Sequence, residues 1–203
     1  MLSLIYNACL LFVLQVCMFY LVDLACLLEG FLPWLKCLVV AGCDLDGKQR
    51  EDKSCVPLMI TLYNHNLPAA QFLIQQNVDV NISSLTGDRR PLWTSIVTNL
   101  SDFVELFLSV SEIDLNIRRS RGYPLLHYCY RNSSEFFEKL LQAGADPNIV
   151  DNHLSSPLMI SVTRASLDTV KTLIRYGADV NQKNRRNETP LIVGVYGGMS
   201  SFI

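Results

Sequence analysis

What this 203-residue chain lacks narrows its chemistry first. It contains no GxGxxG, GxxxxGK[ST], HExxH or GxSxG segment, which removes the phosphate cradles, the zinc-protease helix and the nucleophile elbow. Charge is scarce: 18% of residues are Asp, Glu, Lys or Arg and the net charge is −2, so no overall basic field drives nucleic-acid binding. The cysteines, Cys9, Cys17, Cys26, Cys37, Cys43, Cys55 and Cys129, form no CxxC pair, and a zinc or redox motif is not supported. They read as small buried thiols in a reducing compartment. His65, His127 and His153 stand in different parts of the chain, none paired with Cys, Asp or Glu at ligand spacing. No metal, cofactor or catalytic set is therefore expected. Half of the residues are apolar, which argues for a packed core and against disorder.

Against these gaps stands one periodic signal. Pro57, Pro91, Pro124, Pro157 and Pro190 follow one another at 34, 33, 33 and 33 residues, and each is followed by leucine. Asp44, Asp79, Asp114, Asp146 and Asp179 repeat out of phase with them. A fixed period near 33 means one supersecondary unit copied in tandem, with neighbours completing a core that no unit completes alone. Proline at a helix's first turn gives up an N–H that has no partner there. Leu125, Cys129, Phe136, Phe137, Leu140 and Leu141 fall at helical spacing and are expected to face inward. Gly144 and Gly177 sit where a left-handed residue closes a helix, and Asp146 with Asn148, or Asp179 with Asn181, favour turn hydrogen bonds beyond it.

Written out, Ser156–Asn181 reads SPLMISVTRASLDTVKTLIRYGADVN and aligns without a gap on Tyr123–Asn148 and Val56–Asn81. The unit from Arg90 to Asn116 carries one extra residue between Val110 and Asp114. These units resemble the ankyrin repeat, over about residues 47 to 203. The resemblance implies an all-α ankyrin-repeat solenoid, built of helix-turn-helix units joined by β-hairpin-like loops. The family's histidine after Pro-Leu is replaced by Met59, Trp93, Leu126, Met159 and Ile192, with His127 one place late. In the family that histidine helps tie adjacent loops, so looser loops and more reliance on apolar packing are expected. Asn77 replaces the closing glycine, and asparagine is the next best residue for a left-handed turn.

The expected division is an apolar segment at 1–20 and an ankyrin repeat domain at 21–203. The domain has a degenerate first repeat at 21–46, repeats ending near 81, 116, 148 and 181, and a partial repeat at 182–203. Residues 1–20 carry no charged side chain. Three readings stay open: a helix capping the repeats, a membrane segment, or a cleaved signal peptide. About 20 apolar residues suffice to span a bilayer, but Asp23 is costly inside one, and the positive start of a signal peptide is absent. The Asn-x-Ser/Thr triplets at Asn81, Asn99, Asn132 and Asn187 read as chance matches unless the N-terminus directs secretion.

In ankyrin stacks the loops project as fingers, and fingers with first helices line a concave face where partners dock. The loops here carry Arg89 and Arg90, then Arg118, Arg119 and Arg121, then Lys183, Arg185 and Arg186. Tyr63, Tyr130 and Tyr196 share one position near the end of the first helix. Tyrosine and arginine dominate interface hot spots. With Trp93, these residues make up the expected partner-binding set. The function expected is a non-catalytic scaffold or adaptor that binds another protein through its concave face and loop tips. An acidic segment is the partner chemistry such loops suit, and nucleic acid is disfavoured. The location expected is cytoplasmic, with nuclear access. The alternatives are a membrane-anchored protein tethered by residues 1–22, or a fragment of a larger ankyrin protein such as a ubiquitin-ligase substrate adaptor.

Overall fold

A computed structural model describes residues 21–27, 30, 32–46, 56–83, 90–119, 122–132, 134–164 and 166–196. The expectations on residues 1–20, Arg89, Arg121 and 197–203 lie outside the described residues. The chain forms two compact units, Met1–Ile113 and Asp114–Ile203.

Unit one holds a helical segment at 21–27, then α1 (Leu32–Val40), α2 (Pro57–Tyr63), α3 (Leu67–Gln75), α4 (Pro91–Val97) and α5 (Ser101–Leu108). Unit two holds α6 (Leu125–Asn132), α7 (Ser134–Gln142), α8 (Pro157–Thr163), α9 (Leu167–Arg175) and α10 (Pro190–Tyr196). The described residues contain no strand, only an isolated antiparallel bridge between Arg118 and Pro124. First helices pack on first helices, α2 on α4 and α6 on α8 on α10. Second helices do the same, α1 on α3 on α5.

The sequence explains these elements position by position. Proline opens α2, α4 and α8, where its missing N–H costs nothing. The apolar residues of the repeat pattern form the core: Leu58, Leu92, Leu125 and Leu158 after the prolines, then Phe103, Phe107, Phe136 and Leu140 from the second helices. One position takes a small side chain in every repeat but that of α6, where Tyr128 stands. Thr61, Ser95 and Ser161 each return a hydroxyl bond to the carbonyl three residues back, at 2.7–2.8 Å. In α10 the place is Gly194, where an added Cβ would lie 2.7 Å from Val162 Cγ1 of α8.

Short turns close the helix pairs. Asn77 adopts φ +58°, the left-handed conformation that Gly144 and Gly177 hold in their units. Beyond each closing turn, the aspartate Oδ1 accepts from the backbone N–H two residues on: Asp44 from Asp46, Asp79 from Asn81, Asp114 from Asn116, Asp146 from Asn148 and Asp179 from Asn181, at 2.8–3.1 Å. In four of these five pairs the second residue also reaches the next repeat. Asp46 accepts from Asp79 N (2.8 Å), Asn116 from Asp146 N (2.9 Å) and Asn148 from Asp179 N (2.6 Å). The amide of Asn148 also donates to Gly177 O, and that of Asn81 to Glu112 O.

The expectation of loose inter-repeat loops is therefore corrected. A ladder of Asp and Asn side chains ties successive repeats within each unit. His127 also makes such a tie from one position later than the family's histidine: its Nε2 donates to Ser155 O of the following repeat, at 3.0 Å.

Candidate partner-binding site

Three fingers in unit two carry most of the basic residues. In the first, Leu125 N donates to Ile117 O and Arg119 N to Tyr123 O, at 2.8 and 3.1 Å. In the second, Asp151 N donates to Ser155 O, and in the third, Asn184 N donates to Glu188 O, both at 3.1 Å. Each tip needs a left-handed residue, supplied by Gly122, Leu154 and Asn187 at φ +67°, +58° and +62°. The fingers are tied to one another. The Arg118 guanidinium donates to Val150 O, and Arg185 N donates to His153 O. Gly122 leaves room for the Asn152 side chain; a Cβ there would clash with Asn152 Oδ1.

This arrangement sorts the charges. Arg118, Arg119, Lys183, Arg185 and Arg186 are all exposed on the fingers. The acidic groups beside them are engaged within their own turns. Asp151 Oδ1 accepts from His153 N and Ser155 N, and Glu188 Oε2 accepts from Asn184 Nδ2. Set against the half-buried Asp151 and Glu188, these five exposed cations leave the described part of the fingers with a surplus of positive charge.

Behind the fingers, Tyr130 is half-buried near the end of α6. Its ring meets Phe137 edge-on at 6.0 Å, and the Arg164 guanidinium lies over the ring, 5.7 Å from its centroid. Burial pushes its phenol pKa up and the Arg164 charge partly opposes this, so the hydroxyl stays neutral at physiological pH. His127 lies fully buried below the first finger. Burial holds its imidazole below the usual value and the Arg118 charge adds to the effect, while the Ser155 carbonyl and Asp151 oppose it. Its Nδ1 is buried without a partner, so a second ring proton would have no acceptor.

Other expected site residues are not gathered here. Tyr63 and Tyr196 are exposed at the ends of α2 and α10, and Arg90 is half-buried immediately before α4. Trp93 requires a correction. It is only 1% exposed, packed into the core of unit one, and cannot line a surface. Its place after Pro-Leu is a core position in the other complete repeats too, held by Met59, Leu126 and Met159. Sequence reasoning missed Arg164. The signal was its position one place beyond the tyrosine register of the next repeat, within reach of Tyr130 once α6 and α8 pack together. Among the described residues no group of His, Cys, Asp and Glu could hold a metal ion, and no helix is long and apolar enough to cross a membrane.

Comparison with known proteins agrees with the geometry. A family model for ankyrin repeats, in three copies, matches residues 125–202. A chain of the solved complex of a predatory endopeptidase from Bdellovibrio bacteriovorus with an immunity protein is similar in fold. The two share 22% identity with a TM-score of 0.63, covering 88% of this chain and 92% of that one. No curated protein matches the sequence.

Proposed function

We propose that this chain, an ankyrin repeat protein, is a non-catalytic module that binds another protein, and that the finger edge of its second unit takes an acidic segment of that partner. One observation carries the reading. Five exposed cations project from fingers whose neighbouring carboxylates are already engaged in turn hydrogen bonds. Hydrogen-bonded fingers present these cations with little ordering left to be done on binding, which limits the entropic cost. Tyr130, with Arg164 stacked on it, adds an aromatic–guanidinium pair of the kind that anchors interfaces. The similar solved chain comes from a complex of two proteins, in keeping with a binding role for the fold.

The test is a peptide array graded in Asp and Glu content, probed with the full chain and with an Arg119→Glu, Arg185→Glu, Arg186→Glu variant. Arg118 is left in place because it ties two fingers together. Binding should rise with acidic content, weaken with salt, and drop by about tenfold or more in the variant, mostly through a slower on-rate. No preference for acidic peptides, or no loss in the variant, would sink the electrostatic reading. Tighter capture of single-stranded RNA than of any peptide, with a steep salt slope, would favour a nucleic-acid surface instead.

The location that goes with this reading is cytoplasmic. It rests on Cys37 and Cys129 being free thiols. A membrane tether through residues 1–22 is the second reading, favoured by the absence of charge in 1–20.

A further inference from the structure

The joint between the first two fingers of unit two has an imidazole at its centre. His127 is fully buried there, and its Nε2 donates to Ser155 O at 3.0 Å. That carbonyl also closes the second finger, by accepting from Asp151 N. The ring meets Tyr123 edge-on, with 5.9 Å between centroids. Tyr123 closes the first finger, its carbonyl accepting from Arg119 N, and its hydroxyl donates to His127 O. One side chain therefore touches the closing residue of both fingers. The Arg118 guanidinium bond to Val150 O and the seat of Asn152 against Gly122 cross the same joint, but Arg118 and Asn152 are exposed.

His127 Nδ1 is buried with no partner. Around the ring, the first finger brings Arg118, Arg119 and Tyr123, and the second brings Asp151 and His153. Asp151 Oδ1 already accepts from His153 N and Ser155 N. α7 brings Glu135, Glu138 and Lys139, but both glutamates are exposed, and Lys139 pairs with Glu135 at 2.9 Å. α8 has no charged residue, and Arg164 beyond it lies over Tyr130. On α6 itself stand Tyr128, Cys129 and Tyr130; burial pushes the Tyr130 phenol up and the Cys129 thiol up to about 12, so both stay neutral. A proton added at Nδ1 therefore finds no acceptor and places a buried charge near Arg118.

We infer that His127 is an acid-operated latch on the finger edge. Neutral, it holds the first two fingers together; protonated, it leaves its seat between Tyr123 and Ser155, and the fingers part while the repeats beneath stay folded. The direction of its titration agrees: burial outweighs the pull of the Ser155 carbonyl and Asp151 and holds the imidazole below its usual value. An opened finger frees the ring to take up a proton near its ordinary pKa of about 6.5, so the latch holds above that pH and weakens below it. That the latch regulates partner binding rests on the reading proposed above; the latch itself does not.

Backbone amide spectra of the full chain, recorded by NMR from pH 7.5 to 5.0, test this. The Arg119, Leu125 and Asp151 amides should move together with one midpoint below about pH 6.5, matched by the His127 ring resonances. The Asp146 and Asp179 amides of the ladder should not follow. His127→Gln should abolish the transition, and His153→Gln should leave it in place. The ring titration of the wild type reads the latch even where His127→Gln fails to fold. Finger amides that ignore pH, a transition that survives His127→Gln or vanishes with His153→Gln, or ladder amides that move at the same midpoint overturn the latch. In a second arm, an Asp-rich and Glu-rich peptide is bound at pH 7.5 and 5.5, where its carboxylates stay ionised. Affinity should fall by about fivefold at the lower pH as the competent fraction falls, and hold in His127→Gln. Unchanged affinity alongside the finger transition overturns the regulatory role alone. No binding at either pH sinks the binding reading, and the latch still stands or falls on the spectra.

Discussion

Leu154 holds a conformation that leucine disfavours. It occupies the left-handed place at a finger tip, φ +58°, where the neighbouring fingers use Gly122 and Asn187. That conformation costs an ordinary residue roughly 1–2 kcal/mol. Leu154 is also exposed, so little packing is lost on replacement. Leu154→Asn should therefore stabilise the protein by about 1 kcal/mol, seen as a rise of about 2–4 °C in Tm. His127 gives a prediction of opposite sense. Its folded pKa lies below the unfolded value of about 6.5, so on acidification the unfolded chain takes up the proton first. The stability tied to a neutral His127 is complete above about pH 6.5 and is lost as pH falls from there towards the folded pKa. Denaturant midpoints at pH 7.5 and 5.5 should show this loss, and His127→Gln should flatten the difference. The histidine was visible in the sequence as a displaced family residue. That it bonds to Ser155 of the next repeat was not, because the bond spans 28 residues and depends on how the two repeats stack.

At the scale of the element, the Asp-x-Asn turn is the unit that matters. Read along the chain, it is a local turn, and the bond from Asp146 to Asn148 N is that turn. The same Asn148 also accepts from Asp179 N and donates to Gly177 O, so one side chain serves its own repeat and the next. Asn148→Ala removes both links and should cost about 1–3 kcal/mol, at roughly 0.5–1.5 per bond. Asn148→Asp keeps the acceptor and loses the donor, and should cost less. Equal losses in chemical denaturation would mean that the ladder contributes nothing beyond packing. Helix starts were legible because proline and leucine recur at fixed offsets. The exception is α6, which begins at Leu125 because Pro124 pairs with Arg118 in the finger.

For the whole molecule, apolar side chains fill the core. A tether formed by residues 1–22 would give them a second use. Carbonate extraction of cells expressing the full chain, and the chain without residues 1–22, checks the cytoplasmic reading. It predicts that both remain in the soluble fraction. Pelleting of the full chain alone would transfer the binding module to a membrane surface.

The sequence by itself determined the period, the all-α repeat class, the helix starts and the closing turns, because each depends on contacts within one unit of about 33 residues. Only the tertiary structure decided that Trp93 is core rather than surface, that Arg164 lies on Tyr130, that Asn148 bridges two repeats, and that the finger carboxylates are engaged while the arginines face solvent. These outcomes follow from how successive repeats stack. Stacking brings together residues about 30 positions apart, and a one-dimensional pattern records their spacing but not which face they turn to one another.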